Sequence, residues 1–105
     1  MNDLVEFEHI NSLLIYYGDL LTQKQKEIAK LYFAYNLSFQ EIALEIGVSK
    51  QAVSDSIETV IKKLKNYEEK LKIGEKINKI IEKIKKLDIP EDCKEKVVEE
   101  ILNGI

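Results

Sequence analysis

The chain is expected to be all-α: a helix-turn-helix unit with a long second helix and a C-terminal helical extension. Three observations predict this. No stretch alternates apolar and polar residues with period two over the length of a strand. Apolar residues instead recur at steps of three and four along most of the 105 residues. Finally, the run IALEIGVSKQAVSDSI at 42–57 reads as two short helices folded sharply at a glycine. The expected division is a helix-turn-helix domain over residues 1–73 and an extension over 74–105, packing on that domain or on a partner.

Each element has a local reason. Phe7, Ile10, Leu14 and Tyr17 form an apolar stripe within residues 3–17, and Gly18 is the expected stop. Thr22 followed three residues later by Gln25 has capping-box spacing and opens a second helix. Its stripe is expected to be Ile28, Leu31, Tyr32 and Tyr35, and Asn36, which tolerates positive φ, ends it. Ser38 and Glu41 repeat the capping box for a third helix, with Ile42, Ala43 and Ile46 facing inward. Gly47 makes the turn, Val48 plugs it and Ser49 caps the next helix.

That helix is expected to run unbroken from about residue 50 to residue 72. Val53, Ile57, Val60, Ile61, Leu64, Tyr67 and Leu71 fall mostly at alternating steps of four and three along it. A fold-back of residues 75–87 or a parallel homodimer would each bury this seam, and spacing alone does not separate them. Gly74 is read as a bend or break, after which Ile77, Ile80, Ile84 and Leu87 take up a new register. Pro90 opens a last helix presenting Val97, Val98, Ile101 and Leu102.

The 42–57 run meets the requirements of a DNA-binding helix pair. Ala43 is the small residue at the crossing, Gly47 follows four positions later, and Val53 and Ile57 anchor the second helix. That leaves the N-terminal turn of the second helix free to enter a major groove. Lys50, Gln51, Ser54 and Asp55 are expected to point outward there. Gln51 can pair with adenine, Ser54 can read either partner type, and Asp55 can accept from cytosine. The amides after Ser49, together with Lys50, can meet phosphate, while Lys62, Lys63 and Lys65 can track the backbone.

Charge bounds this reading. The net charge is -3, and all 16 basic residues are lysines, so no guanidinium fork is present to read guanine. Charge is segregated, with residues 50–86 carrying 11 lysines against 6 acids and both ends acidic. Asp55 and Glu58 on the expected recognition helix repel phosphate, so duplex binding is expected to be weak and steeply salt-sensitive.

Catalysis finds little footing. His9 is the only histidine, expected on a polar face, and the single Cys93 is expected as a small apolar residue of the last helix. Asp19, Glu41 and Glu45 show no partner for acid–base work, and Asp92 and Glu95 suit a helix N-terminus without chemistry. No glycine-rich phosphate loop occurs, and no metal or other cofactor is expected. The acidic start MNDLVEFEH is unlike a signal peptide, and LLIYY is far too short for a bilayer, so a cytoplasmic protein without membrane insertion is expected.

The run LTQKQKEIAKLYFAYNLSFQEIALEIGVSKQAVSDSIETVIKKL resembles region 4 of bacterial sigma factors, the segment that reads a promoter element. It more closely resembles the small sigma-region-4-like proteins called YlxM, through that run, YEEKL at 67–71 and the acidic, tyrosine-containing LLIYYGDLLT. The resemblance covers residues 4 to about 72. It implies a sigma-region-4 type of helix-turn-helix fold, with a DNA-facing helix mapping onto Lys50, Gln51, Ser54 and Asp55. The chain departs from the family pattern at Ser54, where tyrosine is common, and at Glu58 and Thr59, where basic residues are common. The family's genes sit beside those of the signal recognition particle GTPase and its receptor. The resemblance therefore implies a DNA-binding regulatory protein taking part in that pathway. The other reading is a non-catalytic adaptor that binds signal recognition particle protein or RNA, using the lysines of 62–86.

Overall fold

A computed structural model describes residues 3–104. The order is α1 (Asp3–Tyr17), a 3-10 turn (Gly18–Leu20), α2 (Gln23–Ala29) continuing into a π-helical turn (Lys30–Ala34), α3 (Phe39–Ile46), α4 (Lys50–Leu71), α5 (Ile73–Lys85) and α6 (Glu91–Asn103). No strand occurs among the described residues. Both expected capping boxes are present, Thr22 with Gln25 and Ser38 with Glu41.

Helix α4 is the spine, and α1, α2 and α3 all pack on it. Its seam residues Val53, Ile57, Val60 and Leu64 are 0–4% exposed, covered by Ile10, Leu13, Leu14 and Tyr17 of α1 and by Ile28, Phe33, Ile42 and Ala43. The seam is therefore filled by the chain's own N-terminal helices. Neither a fold-back of residues 75–87 nor a parallel dimer along α4 is needed to bury it. Towards its C-terminal end the seam fades, with Tyr67 half-buried and Leu71 exposed.

The α2 stripe differs from the expected one. Ile28, Ala29 and Phe33 are buried, whereas Tyr35 is 66% exposed. The cause is the π-helical turn: the Tyr35 amide reaches back five residues to the Lys30 carbonyl at 3.1 Å. One extra residue per turn rotates everything after it relative to an α-helical stripe. Asn36, at φ 57, then closes the helix as expected, and the Leu37 amide returns to the Leu31 carbonyl at 3.0 Å.

The break after α4 falls at Lys72, whose φ is 54, and not at Gly74, which is helical in the first turn of α5. Here a side chain supplies the cap. The Glu68 carboxylate accepts from the Gly74 amide (2.9 Å) and the Glu75 amide (3.3 Å). The Tyr17 hydroxyl donates to Glu68 (2.9 Å) and accepts from the Ile73 amide (3.0 Å). This close approach is what requires glycine: a Cβ on Gly74 would lie 2.5 Å from Glu68 Oε1 and 2.9 Å from Tyr16 Cε2. Two substitutions two residues apart should therefore have opposite signs. Lys72→Gly relieves left-handed strain and should stabilise by about 0.5–1 kcal/mol. Gly74→Ala overpacks the junction and should cost roughly 1–3 kcal/mol. Urea midpoints of the two variants check this.

The hairpin α5–α6 is closed by Lys94, which is buried at 9% exposure. Its Nζ donates to the Lys85 carbonyl at the end of α5 (2.7 Å) and pairs with Glu91 (3.3 Å). A cation at a helix C-terminus is favourable. Cys93, expected as an apolar packing residue, is exposed, and His9 is exposed as expected.

Titration should weaken the fold at both ends of the pH scale. The Ser38 amide holds the Glu41 carboxyl below its ordinary value; Lys65 does the same for Glu6 and Lys26 for Asp19. A lowered carboxyl contributes stability above its unfolded value and loses it as pH falls through the folded one. Burial, followed by the bond to Glu68, raises Tyr17 above its ordinary 10.0. Its contribution is present below that value and is lost as pH rises through the raised one. Urea midpoints across pH should thus be highest between the two limbs. Glu41→Gln, which keeps the capping box, should flatten the acid limb.

Candidate nucleic-acid interface

The corner between α3 and α4 is built from backbone bonds. Gly47 adopts φ 74, and the amides of Gly47 (3.0 Å) and Val48 (3.1 Å) both reach the Ala43 carbonyl. Ile42, Ala43, Val53 and Ile57 are buried where the helices cross. The Ser49 hydroxyl accepts from the Ala52 amide at 3.0 Å. The amides of Lys50 and Gln51 precede the first i→i−4 bond of α4 and therefore point out of the helix end. Such an end carries a partial positive charge suited to phosphate.

Ser49, Lys50, Gln51 and Asp55 are all exposed, so the tip of α4 projects into solvent. Two of the expected readers are tied to each other, since Gln51 Nε2 donates to Asp55 Oδ1 at 2.9 Å. The bond is exposed and weak, but Gln51 must release it to present both its groups to adenine. Ser54 stands apart: it is half-buried and faces a cleft instead of the outer side of α4. The cleft, of about 460 Å³, is lined by Phe7, Tyr32, Phe39, Glu58 and others. Helix α1 makes this wall, and sequence spacing within α4 carries no sign of it. Tilted aromatic contacts build its floor, with Tyr32 5.5 Å from Phe7 and 5.0 Å from Phe39 between ring centroids.

The three lysines further along do not share one face. Lys62 is exposed and pairs with Glu58 at 3.4 Å, one turn back. Lys63 is half-buried and donates to Gln25 Oε1 at 3.2 Å, so it points towards the start of α2. Lys65 pairs with Glu6 of α1 at 2.8 Å. At about 100° per residue, only Lys62 continues the line of Gln51 and Asp55, about 18 Å beyond Lys50. Asp55 and Glu58 lie between them. Lys50, by contrast, makes no ion pair among the described residues.

Lys50 at the helix start and Lys62 on the outer line offer two cations, room for about two phosphate contacts. Salt dependence scales with that number, so two such contacts would give a log–log slope of about −2 per chain.

The corner and the exposed tip are those of a helix-turn-helix, and the comparison with known families agrees. Residues 4–103 match the family UPF0122, described as "Putative helix-turn-helix protein, YlxM / p13 like". The chain belongs to the UPF0122 family.

UPF0122 relatives match it in two ways. The protein of Desulforamulus reducens is 47% identical over 66 residues, 63% of this chain and 56% of its own length. That of Lactiplantibacillus plantarum is 52% identical over 62 residues, 59% and 54% of the two chains. These matches thus span little more than half of either relative. The UPF0122 protein of Fusobacterium nucleatum is 38% identical over 102 residues, 97% of each chain. Similarity in that case extends through the α5–α6 hairpin. No helix of this UPF0122 chain, among the described residues, is long and apolar enough to cross a membrane.

Proposed function

We propose that this UPF0122 protein is a helix-turn-helix DNA-binding regulator that docks the N-terminal tip of α4 in a major groove. The observation that carries the reading is the tip itself. Lys50 and Gln51 stand exposed on a capped helix start, where their amides precede the first helical bond and no segment among the described residues covers them. Lys50, the helix-end amides and Lys62 meet phosphate, while Gln51 and Asp55 face base edges. Ser49 completes the cap, and Ser54 borders the groove from the cleft side. The tie to the signal recognition particle pathway rests on the resemblance to the YlxM proteins alone.

The adaptor reading has less support. It relied on the lysines of 62–86 and the acidic ends; Lys63 and Lys65 are engaged within the chain, while Lys76, Lys83 and Lys86 stay exposed without an ion pair among the described residues. A salt-titrated comparison separates the two. Random duplex DNA, signal recognition particle RNA and its GTPase are each titrated against the full chain. Duplex binding with a slope of about −2 supports the regulator. Salt-independent binding to the GTPase, with no duplex binding, sinks it.

A further inference from the structure

Among the described residues, the hairpin α5–α6 contributes no apolar side chain to the core: every buried hydrophobic one lies between Ile10 and Leu64. Yet both hairpin helices carry apolar stripes. Ile77, Ile81 and Ile84 reach only half-burial, and Ile80 (48%), Leu87 (52%) and Val97 (42%) remain exposed. A groove of about 560 Å³ runs along α6, floored by Val98 and Leu102 between the stems of Lys85 and Lys94. Two helices cannot bury their own stripes against each other alone, and a third and fourth complete the usual solution.

Charge says what those two are. Residues 73–86 carry five lysines against two glutamates, a balance of +3. Helix α6, Glu91–Asn103, carries five acids against two lysines, a balance of −3. The hairpin is thus self-complementary, since a twofold axis lays the basic helix of one copy across the acidic helix of the other, twice. We propose that the α5–α6 hairpin is the interface of a homodimer, two hairpins packing into a four-helix bundle with the second copy as occupant. The surface lies beyond the C-terminal end of α4, roughly 32 Å along that helix from Lys50. Both DNA-facing tips stay free, which gives the dimer two half-site readers.

The test is mass by light scattering and sedimentation, from low micromolar to millimolar concentration. The full chain is expected at twice its 12.2 kDa mass. Ile80→Glu, at an exposed position, keeps its helical circular dichroism and weakens the dimer at least about a hundredfold. Charge reversal supplies a second, fold-independent arm. One variant carries Lys76→Glu and Lys83→Glu, the other Glu99→Lys and Glu100→Lys. Each alone is expected to be monomeric, and the mixture to form a one-to-one heterodimer. A chain that stays monomeric at millimolar concentration overturns the proposal. So does a dimer indifferent to Ile80→Glu, a mixture that fails to pair, or a monomer that binds phosphatidylglycerol vesicles instead. Lys50→Glu should leave the mass at that of a dimer, so this test and the duplex test fail independently.

Discussion

Lys50→Glu is expected to weaken duplex DNA binding at least about tenfold near physiological salt and to flatten the log–log slope by about one unit. The reversal removes the proposed phosphate contact and sets an anion against the backbone at the exposed start of α4. Its value as a test lies in what it leaves intact. Lys50 opens α4 and makes no ion pair among the described residues. A glutamate in the first turn of a helix is favoured by the helix dipole, by roughly 0.3–1 kcal/mol. The variant should therefore melt no earlier than the parent chain, and lost binding cannot be put down to lost folding. Fluorescence anisotropy on a labelled duplex at several salt concentrations measures both quantities. Unchanged affinity with unchanged slope would remove the tip of α4 from the interface.

The second large effect is on stability. Leu64 is 0% exposed at the point where α1 covers α4. Leu64→Ala should cost about 2–5 kcal/mol, the transfer term plus the cavity left behind. For a chain of this size that is roughly 10–25 °C in Tm. The same variant, held below its melting point, should keep the parent oligomeric state, because the α4 seam is filled from within the chain. Thermal melting and light scattering on one sample read both. A cost below about 1 kcal/mol would mean that the seam is not packed as described. A Leu64→Ala chain that stays folded but turns monomeric would return the dimer to the α4 seam. Ile80→Glu is its mirror image, expected to change mass with little change in intrinsic stability.

Much of the helix-turn-helix was legible before any coordinates. Ser38 with Glu41, Gly47 and Ser49 each act through bonds spanning no more than four residues. Local rules reach that far. The α2 stripe was misjudged at Tyr35 because a π-helical turn of five-residue backbone bonds changes the rotation without altering any apolar spacing. Gly74 was misjudged for a different reason. A glycine suggests a break, but this one answers a close approach by Tyr16, 58 residues earlier in the chain, and by Glu68.

The candidate site divides along the same line. Lys50 and Gln51 are exposed as expected, because a capped helix start fixes its own exposure. The contacts of Ser54, Lys63 and Lys65 were not legible, because their surroundings come from α1 and α2. Where each helix begins, how it is capped and where the corner turns were determined by the sequence itself, through hydrogen bonds among near neighbours. Which side of α4 is wet, which of its lysines stand free and which apolar stripe is left uncovered were decided only by the tertiary structure. Those depend on side chains that distant helices bring within reach, and no spacing within one helix encodes them.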